Sequence, residues 1–285
     1  MNCENLKKYQ YAVIGDPISH SKSPQMQNAA FEFHDLGRPY GKIQVKTDEL
    51  ADFVAYAREN MRGFNVTVPH KQSIIQFIDN FTEIGKLCNS INTVRIENGK
   101  LYGTSTDGEG LAKAVEGHFG MKAENLKITF AGAGGAAQSG VWFFAYKGAK
   151  KINICNRTLE KAQQMSDALK KAFPALETEV CLMSDFEKMQ SFIADSDLFI
   201  QATSVGLKDD DPPPFDPAVL DANKNICVYD LIYKETKILK YCREKNIRCA
   251  DGSNMLLGQG AAAFKFWTKL EAPENIMKQA LEELK

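Results

Sequence analysis

Hydrophobic and polar positions alternate in two rhythms along this chain. Short apolar runs rich in β-branched residues, typical of strands, are separated by longer segments in which apolar residues recur every three or four positions, as in amphipathic helices. The two rhythms succeed each other through almost the whole length. This succession predicts an α/β fold in which parallel strands are connected by helices.

In the first part of the chain the pattern predicts three strands, several helices and a hairpin. The strands are residues 11–14, 41–45 and 63–68, and the helices are residues 23–33, residues 50–60 and a segment after Lys71. Ser23 followed by proline predicts the start of the first helix, with the serine as its cap. Asn98-Gly99 lies between two strand-like runs and predicts the turn of a β-hairpin.

A second, more regular pattern begins after Asp107. A predicted helix over residues 110–119 is followed by predicted strands at 127–131, 151–155, 178–183, 198–201 and 226–233. Such alternation is typical of the doubly wound sheet of a dinucleotide-binding domain. Residues 255–285 are helical by periodicity, and no further strand follows them. We expect these C-terminal helices to pack back on the first domain.

The chain of 285 residues is longer than one compact domain usually is, so we predict two domains. The first comprises residues 1–107 together with 253–285, and the second comprises residues 108–252. Residues 128–146 carry no charge and are long enough to span a bilayer. They contain several glycines, however, and a strand, a turn and a buried helix explain them better.

Charge and cysteine content exclude some classes of protein. With 35 basic and 36 acidic residues, the net charge of −1 gives no electrostatic reason to expect a nucleic acid or a membrane surface as partner. The seven cysteines form no CxxC pair, which favours reduced thiols in a cytoplasmic protein. The first ten residues contain no apolar run, so they predict no secretory signal.

A glycine-rich segment, Gly132-Ala133-Gly134-Gly135-Ala136-Ala137, lies between a predicted strand and a predicted helix. Glycine permits a tight turn and lets the backbone approach a pyrophosphate, and the amides at the start of the helix hold its negative charge. A glycine-rich turn alone is weak evidence. In this context between strand and helix, it predicts a dinucleotide site.

The next strand indicates which dinucleotide. Sites for NAD usually carry an acidic residue about twenty positions after the glycines, where it binds the ribose hydroxyls. This chain has Asn156-Arg157-Thr158 there, with Lys161 one turn later. An arginine could simply be a solvated residue at the end of a strand. Together with the glycine turn, it favours NADP, because a guanidinium binds a 2′-phosphate that an acid would repel.

Three polar segments of the first domain are candidates for chemistry: residues 20–24 (HSKSP), residues 65–71 (NVTVPHK), and Asn92-Thr93 with Thr106-Asp107-Gly108. Each has a structural explanation when it is taken alone. Ser23 can cap a helix, Lys71 can be a surface lysine, and Asp107 can cap the next helix. The segments therefore gain meaning only in combination.

In combination and in this order, the motifs resemble those of the shikimate dehydrogenase family. The resemblance runs over nearly the whole chain, through HSKSP, NVTVPHK, INT, STDG, GAGGAA, NRT, ATSVG, VYDLIY and DGSNMLLGQ. It implies an N-terminal α/β substrate domain, a Rossmann-like NADP-binding domain, and an enzyme that reversibly reduces 3-dehydroshikimate to shikimate in aromatic amino-acid biosynthesis. Hydride chemistry with these residues needs no metal, and we expect a monomer or a homodimer.

The resemblance also implies roles for individual residues. Ser21 and Ser23, assisted by Tyr233, would bind the substrate carboxylate. Thr67, Asn92, Asp107 and Gln259 would bind the ring hydroxyls, and Lys71 with Asp107 would handle the proton. The cofactor would contact Gly132, Ala133, Gly134, Gly135, Ala136, Asn156, Arg157, Thr158, Lys161, Thr203, Leu231 and Gly252. His70 and His20 are interpreted as structural.

Reduction of a ketone needs a positioned proton donor for the developing alkoxide. An ammonium beside a carboxylate can supply one, so Lys71 and Asp107 form a coherent pair. Their distance in sequence means that the pairing follows from the resemblance and not from spacing.

Several positions depart from the family pattern. Asn89-Ser90-Ile91-Asn92-Thr93 stands where the family usually has GAVNT, and Ser105-Thr106-Asp107 stands where it has NTD. Gln138 replaces a frequent arginine after the glycine turn, and Tyr233-Lys234-Glu235-Thr236 shortens the usual YxPxxT segment. These changes leave Lys71 and Asp107 in place, and they bear on the breadth of substrates.

Two other functions stay open from the sequence. One is a dehydrogenase of the same fold that also oxidises quinate and uses NAD; the serines and Arg157 argue against it. The other is a sensor without catalytic activity that binds NADP or a shikimate-like ligand. A sensor would tolerate loss of Lys71 or Asp107, and both residues are present.

Overall fold

The computed structural model describes residues 8–283 and divides them into two compact units. The first unit is the chain up to Gly110 together with the segment from Leu257 onward, and the second is Leu111–Leu256. The sequence places these divisions three and four residues earlier. Each division lies inside a helix, so no turn or change of composition marks it.

The described residues form twelve strands and ten helices. The strands are β1 (Tyr11–Gly15), β2 (Tyr40–Gln44), β3 (Gly63–Val66), β4 (Asn80–Phe81), β5 (Thr93–Glu97), β6 (Lys100–Thr104), β7 (Lys127–Ala131), β8 (Lys151–Asn156), β9 (Glu177–Leu182), β10 (Leu198–Gln201), β11 (Cys227–Asp230) and β12 (Arg248–Ala250). The helices are α1 (Ser23–Phe33), α2 (Leu50–Asn60), α3 (Glu83–Cys88), α4 (Asp107–Phe119), α5 (Gly135–Tyr146), α6 (Leu159–Ala172), α7 (Phe186–Ala194), α8 (Lys237–Glu244), α9 (Ser253–Thr268) and α10 (Glu274–Glu282).

The first unit is built on a mixed sheet in the order β2-β1-β3-β5-β6-β4. Strand β1 pairs in parallel with β2 and β3, and the hairpin β5–β6 joins β3 in antiparallel fashion. The hairpin turns at Asn98 and Gly99, both with positive φ, as their sequence predicts. One face of the sheet buries a cluster that includes Phe53 and Phe64, whose rings meet edge to face at 5.1 Å.

The C-terminal helices pack on the first unit, as predicted. Trp267 on α9 donates a hydrogen bond from Nε1 to the Val94 carbonyl of β5 at 2.9 Å. Phe264 on the same helix meets Phe31 of α1 edge to face, with ring centroids 5.1 Å apart. At Gly260 a Cβ atom would lie 2.1 Å from the end of the Met26 side chain, so a larger residue there would require Met26 to move.

The second unit is the predicted doubly wound sheet. Its six strands are all parallel, in the order β12-β11-β10-β7-β8-β9. When the strands are numbered within the unit, this is the strand order of dinucleotide-binding folds. The point at which the strand order reverses lies beside β7. The residues after the carboxyl ends of β7, β8, β10 and β11 therefore lie at one edge of the sheet.

Local structure differs from the sequence-based predictions in a few places. Ser23 is the first residue of α1 rather than its cap: Lys22 occupies the cap position, without a side-chain bond. The segment after Lys71 forms a 3₁₀ turn at Ser73–Phe77. The predicted strand 226–233 ends at Asp230, because the Asp230 carboxylate accepts a bond from the Ile232 amide and turns the chain out of the sheet. The short strands β4 and β12 were not predicted.

Residues 128–146 form β7, the glycine turn and α5, as predicted. Across the described range, no helix is long and apolar enough to cross a membrane. The six cysteines of that range are free thiols, five of them buried. Cys3 and most of the N-terminal segment that carries the signal-peptide argument lie outside the described residues.

Candidate active site

An ion pair between Lys71 and Asp107 is the centre of the polar site in the first unit. Lys71 Nζ lies 2.6 Å from Asp107 Oδ2, and the two side chains are only 20% and 10% exposed. The residues are 36 positions apart. They meet because Lys71 follows β3, whose hairpin neighbours β5 and β6 lead directly into α4, which begins at Asp107.

Asn92 fixes the other oxygen of the aspartate. Its Nδ2 donates to Asp107 Oδ1 at 2.7 Å, while its Oδ1 accepts from the Thr106 amide at 2.8 Å. Both carboxylate oxygens of Asp107 thus accept from a donor, and the lysine is held in a single direction. Such a buried, fully bonded network defines the orientation of its members.

The network continues through the interior of the unit to Ser23. Asn65 donates from Nδ2 to Thr93 Oγ1 at 2.9 Å and accepts from the Tyr40 hydroxyl at 2.7 Å. Ser23 hydrogen-bonds the Tyr40 oxygen in turn, and burial raises the pKa of Tyr40 well above its ordinary value. The sequence reasoning missed Tyr40, because nothing in the local pattern separates it from an ordinary core tyrosine.

The other residues predicted to bind substrate lie as follows. The Ser21 hydroxyl accepts from the Ser23 amide at 3.3 Å, so the two serines are neighbours. Thr67 follows β3 and shares the turn of Lys71, since its carbonyl accepts from the His70 amide. Gln259 is half-buried on α9. Tyr233 belongs to the second unit.

His70 is fully buried and packs in the core, as interpreted from the motif. Its Nε2 lies 2.6 Å from the Val45 carbonyl oxygen. The turn that carries the neighbouring Lys71 is therefore anchored to Val45, the residue after β2. His20 is exposed in the loop between β1 and α1.

A groove of about 960 Å³ lies at the carboxyl edge of the sheet in the second unit. It brings together most of the residues predicted to bind the cofactor, and Tyr233. Those that line it are Gly132, Ala133, Gly134, Gly135, Ala136, Asn156, Arg157, Thr158, Lys161, Thr203 and Leu231. Gly252 does not line it. A Cβ atom at Gly252 would lie 2.2 Å from the Leu231 carbonyl oxygen, so this glycine allows close packing against the backbone of Leu231, which lines the groove.

The glycines of the turn have different physical reasons. Gly132 has φ +115°, and a Cβ atom there would lie 2.9 Å from the Ala202 carbonyl oxygen, so the protein itself requires glycine. Around Gly134 and Gly135 nothing lies within 4 Å of a built Cβ atom. The open space and the exposed start of α5 fit a pyrophosphate, which would approach this backbone closely.

The side of the groove beyond β8 is cationic. Arg157 and Lys161 are exposed, and neither forms an ion pair with another residue in the range 8–283. Asn156, at the end of β8, donates from Nδ2 to the Thr158 carbonyl at 2.8 Å. Two unpaired cations with an amide in the usual acidic position fit the 2′-phosphate of NADP.

The structure adds groove residues that the sequence reasoning missed. They are Met183, Ser184, Phe186, Ala202, Ser204, Val205, Leu207, Pro214, Phe215, Asp216, Val219 and Ile232. Many of them follow the carboxyl ends of β9, β10 and β11. The rule that ligands lie outside these ends was one signal available to find them, and the motifs ATSVG and VYDLIY, which contain Ala202, Ser204, Val205 and Ile232, were another.

Asp230, at the end of β11, is a fully buried carboxyl group behind the groove. Burial raises its pKa to about 6, although the bonds from the Ile232 amide and the Thr236 hydroxyl favour the ionised form. The nearby Asp251 carboxylate raises this pKa further. The folded protein therefore binds this proton more tightly than the unfolded chain does.

The free energy of unfolding should therefore depend on pH through Asp230. Because the folded pKa lies above the unfolded value, ionisation of Asp230 costs stability as the pH rises from about 4 through about 6, reaching roughly 2–3 kcal/mol at pH 7.5. The asparagine in Asp230→Asn stays neutral at every pH. The free energy of unfolding of Asp230→Asn, relative to that of wild type, should therefore be about 1–2 kcal/mol higher at pH 7.5 than at pH 5. Urea denaturation at both pH values measures this. Curves that stay parallel would show that Asp230 titrates alike in both states.

Two of the departures from the family pattern, Asn89 and Ser105, have local explanations. Asn89 ends α3 in the left-handed region, at φ +46°. Asparagine tolerates this region better than other side chains, so it can stand where glycine is usual. Ser105 hydrogen-bonds the buried Cys88 thiol, whose pKa burial raises to about 12. Neither change alters the bonds of Lys71 or Asp107.

Family models match most of the chain. The shikimate dehydrogenase substrate binding domain matches residues 13–94, the shikimate / quinate 5-dehydrogenase model matches residues 113–207, and the shikimate 5′-dehydrogenase C-terminal domain matches residues 252–282. The three matches follow one another along the chain in the order first unit, second unit and C-terminal segment.

Curated relatives and solved structures agree with these matches. The chain is 36% identical over 274 residues to shikimate dehydrogenase (NADP(+)) of Nitrosopumilus maritimus, covering 95% of this chain and 97% of that protein. A structure of shikimate 5-dehydrogenase from Listeria monocytogenes with shikimate and NAD superposes with a TM-score of 0.87 at 32% identity, covering 96% of each chain. One of the Thermus thermophilus enzyme with NADP(H) and shikimate gives 0.84 at 26% identity, covering 96% of this chain and 99% of that one. By sequence and by fold, the chain belongs to the shikimate dehydrogenase family.

Proposed function

We propose that this protein is an NADP-dependent shikimate dehydrogenase that reversibly reduces 3-dehydroshikimate to shikimate, a step of aromatic amino-acid biosynthesis. The observation that carries the proposal is the Lys71–Asp107 pair, buried and held by Asn92 in the unit that also carries Ser21 and Ser23. A bare dinucleotide-binding protein has no need of such a pair. The choice of NADP as cofactor is supported by the relatives that are named shikimate dehydrogenase (NADP(+)).

Lys71 is the proton donor of the proposed reaction. When bound, the reduced nicotinamide supplies a hydride to the carbonyl carbon. Lys71 Nζ then gives a proton to the developing alkoxide, and in the oxidative direction it takes that proton back. Asp107, fixed at both oxygens, orients the lysine and stabilises its positive charge at a distance of 2.6 Å.

The remaining polar groups recognise the substrate. Ser21 and Ser23, assisted by Tyr233, donate to its carboxylate, and Thr67, Asn92, Asp107 and Gln259 bind its hydroxyls. The proposal is supported by the position of Ser21 beside Ser23 and by the hydrogen-bond path from Ser23 through Tyr40 and Asn65 to Asn92.

The groove would hold NADP: the turn at residues 132–136 would bind its pyrophosphate, and Arg157 and Lys161 would bind its 2′-phosphate. The proposal is supported by the open space at Gly134 and Gly135 and by the absence of acidic partners of both cations in the described range. Thr203 and Leu231 line the other half of the groove, which follows β10 and β11. The cytoplasmic location and the choice between monomer and homodimer stay predictions.

The proposed function is tested by the initial rate of shikimate oxidation, followed as reduction of the nicotinamide. NADP and NAD are compared as cofactors, and quinate serves as a second substrate. We expect turnover with shikimate and NADP and much weaker turnover with the other combinations. A strong preference for NAD or equal use of quinate would point to the broader quinate/shikimate enzyme. Binding of NADPH without turnover of either substrate would favour the sensor.

A further inference from the structure

The loop between β11 and α8 is held by a buried carboxylate that the proposed mechanism does not use. Asp230 Oδ1 accepts from the Ile232 amide at 3.0 Å, and Oδ2 accepts from the Thr236 hydroxyl at 2.7 Å. Thr236 Oγ1 also accepts from the Leu239 amide at 3.2 Å and thereby caps α8. We call Asp230, Ile232 and Thr236 the Asp230 clamp. It fixes both ends of a six-residue loop.

The clamp shapes one wall of the groove. Leu231, Ile232 and Tyr233, which line the groove, all belong to the clamped loop. The loop after β10 packs on the same clamp: a Cβ atom at Gly206 would lie 3.2 Å from both the Ile232 and the Thr236 side chains. A shift of the clamp would therefore move both segments.

This wall is the nicotinamide side of the groove. The glycine turn follows the central strand β7, and Arg157 follows β8 on one side of it, where the 2′-phosphate is proposed to bind. Strands β10 and β11 lie on the other side of β7. Because a dinucleotide extends across the reversal point of such a sheet, its two halves occupy opposite sides.

A charged group at this position has no structural necessity. A buried carboxylate without a cation is costly, and among the groups that shift the pKa of Asp230 there is no cation. Asparagine could accept from the Ile232 amide equally well. What the carboxylate alone provides is acceptance from the amide and the hydroxyl at the same time, which fixes the loop at two points.

We propose that Asp230, acting through Ile232 and Thr236, is a positioning residue for the nicotinamide half of the bound cofactor. The inference rests on the proposed NADP site. It predicts that the clamp contributes to the binding of the complete dinucleotide but not to the binding of a fragment that lacks nicotinamide. That difference separates a positioning role from a general structural one.

The test measures dissociation constants for NADPH, by nicotinamide fluorescence, and for 2′-phospho-ADP-ribose, by calorimetry. In Asp230→Asn and Thr236→Val we expect NADPH to bind about 3- to 10-fold more weakly, as one or two bonds to the loop are lost. The fragment should bind as it does to wild type. Thr236→Ser keeps the hydroxyl and should bind NADPH within about twofold of wild type. Asp230→Asn should not lower the thermal unfolding midpoint at pH 7.5.

Thr82→Val is the matched control. Thr82 caps α3 in the first unit through the same 3.2 Å bond to a backbone amide, here of Gly85. Removal of the Thr82 hydroxyl should cost about as much stability as Thr236→Val does and leave both dissociation constants unchanged. Equal weakening of NADPH and the fragment in the clamp variants, or wild-type binding of both, would overturn the proposal. The binding measurements need no substrate, so a wrong assignment of the substrate would show only in the rates of the wild-type protein. If the wild-type protein did not bind NADPH, both the proposed function and the proposed role of Asp230 would be wrong.

Discussion

Replacement of Lys71 by alanine is expected to lower the turnover of shikimate by about 100- to 10,000-fold, the usual contribution of a general acid–base group. The Michaelis constant for shikimate should change little, because the substrate is held by other hydroxyl and amide groups. The large loss of turnover is expected because Lys71 Nζ lies 2.6 Å from Asp107 Oδ2, with the lysine side chain only 20% exposed. Steady-state rates test this expectation, measured with saturating NADP for the oxidation of shikimate and with saturating NADPH for the reduction of 3-dehydroshikimate.

Two controls separate chemistry from damage to the fold. Lys86→Ala removes an exposed lysine from the last turn of α3 and should leave the rates unchanged. Thermal unfolding of Lys71→Ala shows whether Asp107 tolerates the loss of its cation, since Asn92 continues to donate to its other oxygen. A folded Lys71→Ala protein with near-normal turnover would remove the lysine from the mechanism.

The two halves of the site differ in how much of them the sequence could predict. The dinucleotide turn follows from local rules, because a strand, a glycine run and a helix are contiguous in the chain. The Lys71–Asp107 pair does not: it depends on β3, β5 and β6 being neighbours, and only the resemblance to a family suggested it. Tyr40 was missed altogether, since a tyrosine at the start of a buried strand is ordinary until its hydroxyl is seen to join Ser23 and Asn65.

The same limit explains the errors in element boundaries. Residues 226–233 carry the apolar pattern of a strand apart from Asp230, and the strand ends there because the Asp230 side chain bonds a backbone amide two residues later. Ser23 has the right chemistry for a cap, but Lys22 takes that position and Ser23 bonds Tyr40 instead. In both places a polar side chain bonds a specific partner, a nearby amide in the case of Asp230 and a distant tyrosine in the case of Ser23, and periodicity carries no information on such bonds.

Replacement of Arg157 by alanine is expected to weaken NADPH by about 10- to 100-fold and NADH by less than about twofold. A bond between a charged donor and a phosphate is stronger than a neutral one, and its loss is felt only by the cofactor that carries the phosphate. The exposed position of Arg157 keeps the effect below that of a buried pair, because water screens the charge. Dissociation constants for both cofactors at two salt concentrations measure the difference.

The salt dependence makes this experiment discriminating. If Arg157 binds the 2′-phosphate, wild-type affinity for NADPH should fall with salt more steeply than that of Arg157→Ala, while NADH should show little dependence in either protein. Arg38→Ala removes an exposed arginine of the first unit that pairs with Glu32, and it should leave both cofactors unaffected. Equal weakening of NADPH and NADH in Arg157→Ala would mean that the side chain supports the adenosine half without contacting the phosphate. Lys161 would then be the remaining cation able to select NADP, because within residues 8–283 it too has no acidic partner.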